Sequence, residues 1–343
     1  GVVALTATLA APGGAARAQS AEAAWAQTVA AAKKEGKLVL SAPAGNVWRA
    51  ELSKFQDAYP EIKLDITTAP SRDYWARVEK EREAGQFLWD VRIGGLDTLT
   101  YRMKSKGYMS PLRPELILPE ITDGKNWRNG FEGLFFDAEH KYFVSFCMYE
   151  SFIGYFNERV IDPSEIASME DLLKPAFKGK ISLQDPRGGA GLVNMGVAYR
   201  RLGEAYVRRL VAEQIGVVTN DPRQQIEWAL SGRYPIAIGL PSALLVDYQK
   251  RGVPLPMRKM SELKEWSAGV CSAQMLDKAP HPNATRLFIN WLLTKKVQAE
   301  LTAAVELNSM RTDVPPGAPG RVVPADQLAD YVADQTEEVM PYQ

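Results

Sequence analysis

The sequence is poor in histidine and cysteine and has no excess of either charge. Its 343 residues include two His and two Cys, with 41 Lys+Arg against 41 Asp+Glu. This neutral balance excludes the basic surface that nucleic-acid binders present, and two His and two Cys cannot form repeated zinc cages. The remaining composition, 46% hydrophobic and 24% charged, is that of a soluble globular protein. Disordered, collagenous and disulfide-stapled miniature chains are excluded, and the length predicts about two domains or lobes.

Long apolar runs are also lacking, except for small residues at the start of the sequence. Residues 1–11 are apolar, Pro12 and two glycines follow, and Ala16-Arg17-Ala18 matches an A-x-A cleavage site. We interpret residues 1–18 as the remnant of a secretory signal peptide, the alternative being a flexible Ala/Gly tail. No later segment has the roughly 18 apolar residues of a membrane-spanning helix, so we expect an exported, released protein.

The two cysteines, Cys147 and Cys271, leave two possibilities open. In an oxidising compartment they could form one disulfide, but the sequence does not give the distance between their Cα atoms. Each lies in an apolar, strand-like run, where a buried free thiol is equally compatible with the pattern.

The rest of the chain alternates short strands with helices. Lys37–Ser41 is a predicted strand, and the following helix has Trp48, Leu52, Phe55 and Tyr59 on one face. The β-α-β order requires crossover helices and parallel pairing, which predicts an open α/β sheet. A second series starts at residue 180, after an apolar run over residues 142–156 that we expect to form two strands. Two such series predict two lobes, and a terminal helix is expected near Ala325–Val339.

The motifs of common enzymes are absent. The sequence has no G-x-S-x-G, H-E-x-x-H, phosphate loop or C-x-x-C. Any triad would need His140 or His281 as its base, and both are better explained as surface or helix-capping residues. We therefore expect no catalysis, no metal and no cofactor; an exported hydrolase is kept as an alternative.

In open parallel sheets, ligands bind beyond the carboxyl ends of the strands, where helix N-termini present free N–H groups. The main hypothesis is that Arg187 binds an anionic ligand, because its guanidinium lies beside a glycine-rich helix start. The alternative for Arg187 is a surface ion pair with Asp185. Tyr149 could form an aromatic wall, as could Trp48, although its helical face favours core packing. The complete set of candidate ligand-binding residues is Ser41, Ala42, Pro43, Gly95, Asp97, Tyr149, Arg187, Gly188, Gly189 and Ser242.

Several stretches together resemble the extracellular solute-binding proteins of ABC transporters, and within them the iron(III)-type group. The resemblance rests on order and spacing over most of the chain, in EGKLVL (35–40), FQDAYPEI (55–62), RVEKEREAGQ (77–86), GYFN (154–157), FKGKI (177–181), Asp185-Pro186 and APHPNATRLFINWLL (279–293).

The resemblance implies a two-lobe, type II periplasmic binding protein. Each lobe would be an open, mostly parallel sheet flanked by helices, with the ligand cleft between the lobes. Lobe 1 would comprise 21–145 plus 271–306 and lobe 2 would comprise 146–270 plus 310–343, with crossings near 145–151 and 267–275. Such a protein would work as a monomer in the periplasm, close on its solute and deliver it to an inner-membrane permease. A sensing module for a membrane receptor would share this fold.

This sequence departs from the iron(III)-type group in residues that would bind the solute. Its iron-binding members carry adjacent tyrosines at the loop that here reads Gly239-Leu240-Pro241-Ser242-Ala243, and this chain has no tyrosine pair. Relatives that bind phosphorylated or carboxylated compounds often carry Ser-Gly-Thr after the Asp-Pro step, where this chain has 187-RGGAG-191. We expect a small organic anion, a carboxylate or a phosphorylated compound, with a carboxylate fitting better; ferric iron is the alternative.

Overall fold

The structure, a computed structural model, describes residues 13–187, 189–260, 262 and 264–338. The described α-helices are α1 (Gly13–Glu35), α2 (Asn46–Ala58), α3 (Ser71–Glu83), α4 (Thr98–Ser105), α5 (Pro119–Thr122), α6 (Gly189–Arg209), α7 (Pro222–Leu230), α8 (Ser242–Lys250), α9 (Pro282–Leu293) and α10 (Lys295–Ala304). The described strands are β1 (Lys37–Ala42), β2 (Lys63–Thr68), β3 (Val91–Gly94), β4 (Phe143–Ser145), β5 (Cys147–Phe152), β6 (Gly154–Asn157), β7 (Ile181–Gln184), β8 (Ile215–Thr219), β9 (Ile236–Ile238), β10 (Met257–Lys259), β11 (Lys264–Ser267), β12 (Ser272–Met275), β13 (Asn308–Ser309) and β14 (Val332–Ala333).

The segment interpreted as a signal peptide lies only partly within this range. Residues 1–12 are outside the described residues, and residues 13–18 form the first turns of α1. The signal peptide therefore stays a prediction. None of the helices in the described part of the chain is long and apolar enough to cross a membrane.

The first lobe is built on a sheet with strand order β2-β1-β3-β12-β4. β1 pairs in parallel with β2 and β3, while β12 pairs antiparallel with β3 and β4. On the predicted face of α2, Trp48, Leu52 and Phe55 are buried, while Tyr59 follows the helix and is half-buried. The ring of Phe55 lies 5.2 Å from Phe288 and 5.4 Å from Trp291 of α9. This packing fixes α2 and α9 on the sheet and leaves the carboxyl ends of β1 and β3 open.

The second lobe has a sheet with strand order β10-β6-β9-β7-β8. β7 pairs in parallel with β8 and β9, and β6 pairs antiparallel with β9 and β10. Phe156, Leu183, Ile236 and their neighbours form a separate apolar core here. Two sheets, each with its own core, confirm the two-lobe α/β architecture.

A third sheet, β13-β5-β11-β14, connects the lobes. The chain leaves the first sheet between β4 and β5 and returns to it between β11 and β12. The apolar run over residues 142–156 thus forms three strands, where two were predicted. A disulfide joins Cys147 to Cys271, whose Cα atoms lie 5.4 Å apart. Of the two possibilities that the sequence left open, a disulfide or free thiols, the structure contains the disulfide.

The prediction of a helix near Ala325–Val339 is wrong. Residues Ala325–Asp330 form a 3₁₀ helix, and β14 then pairs in parallel with β11, aligning Glu265 with Val332. The open edge of β11 offers backbone hydrogen bonds that a helix here would forgo. The apolar residues of this C-terminal segment, Met310, Val323, Leu328 and Tyr331, pack in the core of the first lobe, whereas residues 310–343 are predicted above to belong to the second.

Candidate functional site

A cavity of about 680 Å³ lies between the two lobes. The first lobe contributes the ends of β1 and β3 and the start of α3, and the second contributes the first turns of α6 and the loop after β9. The connecting segments and the C-terminal segment complete the walls with Tyr149, Ser151, Ser267, Gly269, Val270, Arg321, Asp334 and Gln335. The cavity therefore occupies the position beyond the strand ends where ligands bind in open α/β sheets.

Six of the ten predicted residues line this cavity, namely Ser41, Ala42, Pro43, Gly95, Asp97 and Tyr149. Asp97 is also the N-cap of α4, because its Oδ1 accepts a hydrogen bond of 2.8 Å from the backbone N–H of Thr100. Gly189 and Ser242 are the first residues of α6 and α8, while Gly188 and the side chain of Ser242 lie outside the described part of the structure.

Arg187 does not line the cavity. Its Nη2 donates to Asp185 Oδ2 at 2.5 Å and its Nε donates to Oδ1 at 2.9 Å, and its side chain is 86% exposed. These hydrogen bonds lower the pKa of Asp185 to about 2. Gly191, close to Arg187 in the chain, has a packing reason, since a Cβ there would lie 2.6 Å from the carbonyl oxygen of Asp185. The geometry is that of the surface ion pair that the sequence left as the alternative.

Arg92, which the sequence analysis did not select, reaches the cavity from β3. It is 4% exposed, and its Nη1 donates to Gly95 O at 3.1 Å and to Gln274 Oε1 at 2.9 Å. Its Cζ lies 5.4 Å from the ring centroid of Tyr74 and 5.3 Å from that of Trp75. Among the described residues it forms no ion pair with a carboxylate, and burial lowers its pKa. Arg92 is thus a buried cation whose hydrogen-bond partners are neutral, with the Asp97 carboxylate near enough to act on it electrostatically.

Arg321 is the second arginine of the cavity. Its Cζ lies 4.0 Å from the ring centroid of Tyr149, and its buried Nε has no hydrogen-bond partner. It too forms no ion pair with a carboxylate in the described part of the chain, and burial lowers its pKa. The phenol of Tyr149 has a raised pKa because of burial and the nearby Asp334 carboxyl. Tyr149 therefore supports the guanidinium without neutralising it.

Two buried carboxyl groups lie at or near the cavity: Asp334 lines it, and Glu265 contacts the lining residue Asn194. Burial raises the pKa of Asp334 to about 7, and burial together with Asp334 raises the pKa of Glu265 well above its usual value. Glu265 Oε2 accepts a hydrogen bond of 2.8 Å from Asn194 Nδ2, and Asn194 lines the cavity. A pKa of about 7 leaves Asp334 partly protonated near neutral pH, so the two carboxyls offset only part of the positive charge of the two arginines.

A hydroxyl at the start of α3 faces the same space. The N-cap of α3 is Pro70, and Ser71 is the first helical residue. Its buried Oγ has no hydrogen-bond partner, and Ser71 lines the cavity. The hydroxyl of Ser71 is therefore available to a ligand.

Clustered metal ligands and histidines are not found among the described residues of the cavity walls. No group of three or more His, Cys, Asp or Glu able to hold a metal ion occurs among the described residues. Tyr149 is the one tyrosine among the described residues that line the cavity, and neither histidine lines it. His281 Nδ1 lies 2.8 Å from Asp90 Oδ2 at the start of α9, and His140 is in an exposed turn.

Comparison with known proteins gives the family. Residues 40–299 match the model of the bacterial extracellular solute-binding proteins. No curated protein matches the sequence. The solved structures of similar fold include iron-bound HitA from Pseudomonas aeruginosa, with 18% identity, TM-score 0.61 and coverage of 89% of this chain and 97% of that one.

Two further structures extend this likeness. The Trichodesmium protein IdiA (FutA), in complex with iron and citrate, has 14% identity and TM-score 0.66, covering 90% of this chain and 95% of that one. AfuA from Actinobacillus pleuropneumoniae, with fructose-6-phosphate bound, has 19% identity and TM-score 0.54, covering 89% and 97%. The chain belongs to the bacterial extracellular solute-binding proteins and has the two-lobe, type II fold of their iron(III)-type group.

Proposed function

We propose that this protein is the solute-binding component of an ABC importer and that it captures a small organic anion, a carboxylate or a phosphorylated compound. The observation that carries the proposal is the pair of guanidinium groups, Arg92 and Arg321, at the cavity. A buried guanidinium without a carboxylate partner is costly, and an anionic ligand would offset that cost. The Ser71 hydroxyl and the start of α3 add hydrogen-bond donors for the same anion.

Closure of the two lobes would complete the site. The lobes are connected by the β5 and β11 strands, and residues of both lobes line the cavity. A ligand that contacts both walls binds the closed form better and shifts the population toward it. In this proposal the protein acts as a monomer in the periplasm, after removal of a signal peptide, and its closed form is recognised by an inner-membrane permease.

Ferric iron is a poorer candidate for the cargo. HitA and the Trichodesmium protein are described with iron bound, but the likeness of this chain to them extends to the fold. Ferric iron prefers several anionic oxygen ligands, whereas two arginines create a positive potential at this cavity. AfuA, whose structure holds a sugar phosphate, has the same fold with an organic anion as ligand.

A thermal-shift panel tests the proposal. Carboxylates, phosphorylated compounds and Fe(III) citrate are each added to the purified protein. A ligand at about 100 times its Kd stabilises the folded state by about 2.7 kcal/mol, which for a chain of this length raises Tm by about 4 °C. We expect such shifts for organic anions and none for Fe(III) beyond the shift of citrate alone. Stabilisation by Fe(III) with no response to any organic anion would contradict the proposal.

A further inference from the structure

The cavity has one wall that the anion site does not use. The second lobe contributes Leu192 and Val193 from the first turns of α6, and Leu240 and Pro241 from the loop after β9. Asn194 is the one polar residue among the described second-lobe residues of this wall, and its Nδ2 is engaged by Glu265. The charged guanidinium groups come from elsewhere, Arg92 from the first lobe and Arg321 from the C-terminal segment. The charged groups of the cavity thus lie in the first lobe and in the connecting and C-terminal segments, whereas the second-lobe wall is mainly apolar.

The size of the cavity indicates how large a solute it can enclose. At about 680 Å³ it falls within the range of roughly 300–1,000 Å³ that encloses an organic ligand of many atoms. A solute that only filled the arginine side would leave most of this space to water. A larger solute with hydroxyls throughout would place some of them against Leu192, Val193 and Leu240, which offer no side-chain hydrogen bonds, at a desolvation cost for each.

We infer that the solute is an amphipathic organic anion, with its anionic group at Arg92 and Arg321 and an apolar chain or ring against Leu192, Val193 and Leu240. This inference rests on the proposed function, since it requires the anion to bind in this cavity. When the lobes close, the apolar body is removed from water between the two walls, and each buried methylene contributes to the affinity. The second lobe therefore selects the body of the solute, whereas the arginines select its charge.

Calorimetric titration of the wild-type protein with straight-chain carboxylates tests the inference. Acetate, butyrate, hexanoate and octanoate share one charge, and citrate and gluconate serve as polar comparators. We expect Kd to fall about fourfold for each added methylene until the wall is filled. Citrate and gluconate should bind more weakly than octanoate.

A matched pair of variants locates the effect. Val193→Asn places an amide on the apolar wall, and Val211→Asn makes the same change at a 44% exposed valine beyond the C-terminal end of α6. Val193→Asn should weaken octanoate at least tenfold and leave acetate unchanged, while Val211→Asn should leave both unchanged. The inference is overturned if polar anions bind more tightly than octanoate, or if Val193→Asn weakens acetate and octanoate equally. Failure of every anion to bind would instead refute the proposed function.

Discussion

The disulfide between Cys147 and Cys271 allows a stability prediction that follows from the chain itself. The bond joins the two points where the chain leaves and re-enters the first sheet, next to the paired Ser145 and Ser272. The perturbation is the double variant Cys147→Ser/Cys271→Ser, which removes the link and keeps two small polar side chains. The backbone hydrogen bond from Phe146 to Cys271, 3.0 Å long, can still form in the variant.

The expected loss of stability follows from the 124 residues that separate the cysteines. Closing a loop of that length lowers the entropy of the unfolded chain, and its absence costs about 5 kcal/mol of stability at 25 °C in the chain-entropy model. Unfolding entropy of about 2.1 cal/mol/K per residue over the 343 residues converts this to a fall in Tm of about 7 °C.

Differential scanning calorimetry with and without reductant provides the assay. Wild type should lose about 7 °C on reduction, and the double variant should start at the lower Tm and not respond to reductant. Thiol titration of the unfolded, unreduced wild type should find no free thiol. Two free thiols would show that the disulfide does not form; a disulfide present with a Tm change below about 1 °C would refute the entropic argument.

Two further predictions concern the cavity walls. Because burial raises the folded-state pKa of Asp334 to about 7, its protonated form is stabilised at low pH and that stability is lost as pH rises toward 7. The free energy of unfolding of the wild type, measured in urea, should therefore fall by about 3 kcal/mol more between pH 5 and pH 8 than that of Asp334→Asn. An equal fall in the two proteins would contradict this. At Gly94, a Cβ would lie 2.6 Å from Arg92 Cζ, so Gly94→Ala should displace the guanidinium and weaken anion binding at least tenfold by calorimetry. An unchanged Kd in a folded Gly94→Ala protein would remove Arg92 from the site.

Local sequence patterns predicted much of the architecture and part of the site. The alternation of strands and helices is local, and the rule for strand ends selected Ser41, Ala42, Pro43, Gly95 and Asp97 from loop positions alone. These predictions worked because an open α/β sheet brings the carboxyl ends of neighbouring parallel strands to one edge.

The residues that were missed depend on contacts distant in sequence. Arg92 looks like any polar residue of a strand, and its burial follows from packing over Tyr74 and Trp75. Asp334 lies in the segment predicted as a helix and Arg321 lies just before it, and β14 forms only by pairing with β11, more than 60 residues earlier. The disulfide could not be chosen over free thiols for the same reason, since its Cα separation is set by the fold.

The central claim, that arginines of the cavity hold an organic anion, is tested most directly by one calorimetric comparison. The tightest anion of the panel is titrated into wild type, Arg321→Gln and Arg187→Gln. Arg321→Gln should weaken binding at least about 30-fold, because a charge-assisted contact in a desolvated site is worth about 2 kcal/mol or more. Arg187→Gln, which removes an exposed ion pair outside the cavity, should stay within twofold of wild type. The opposite pattern, an effect of Arg187 and none of Arg321, would contradict the account.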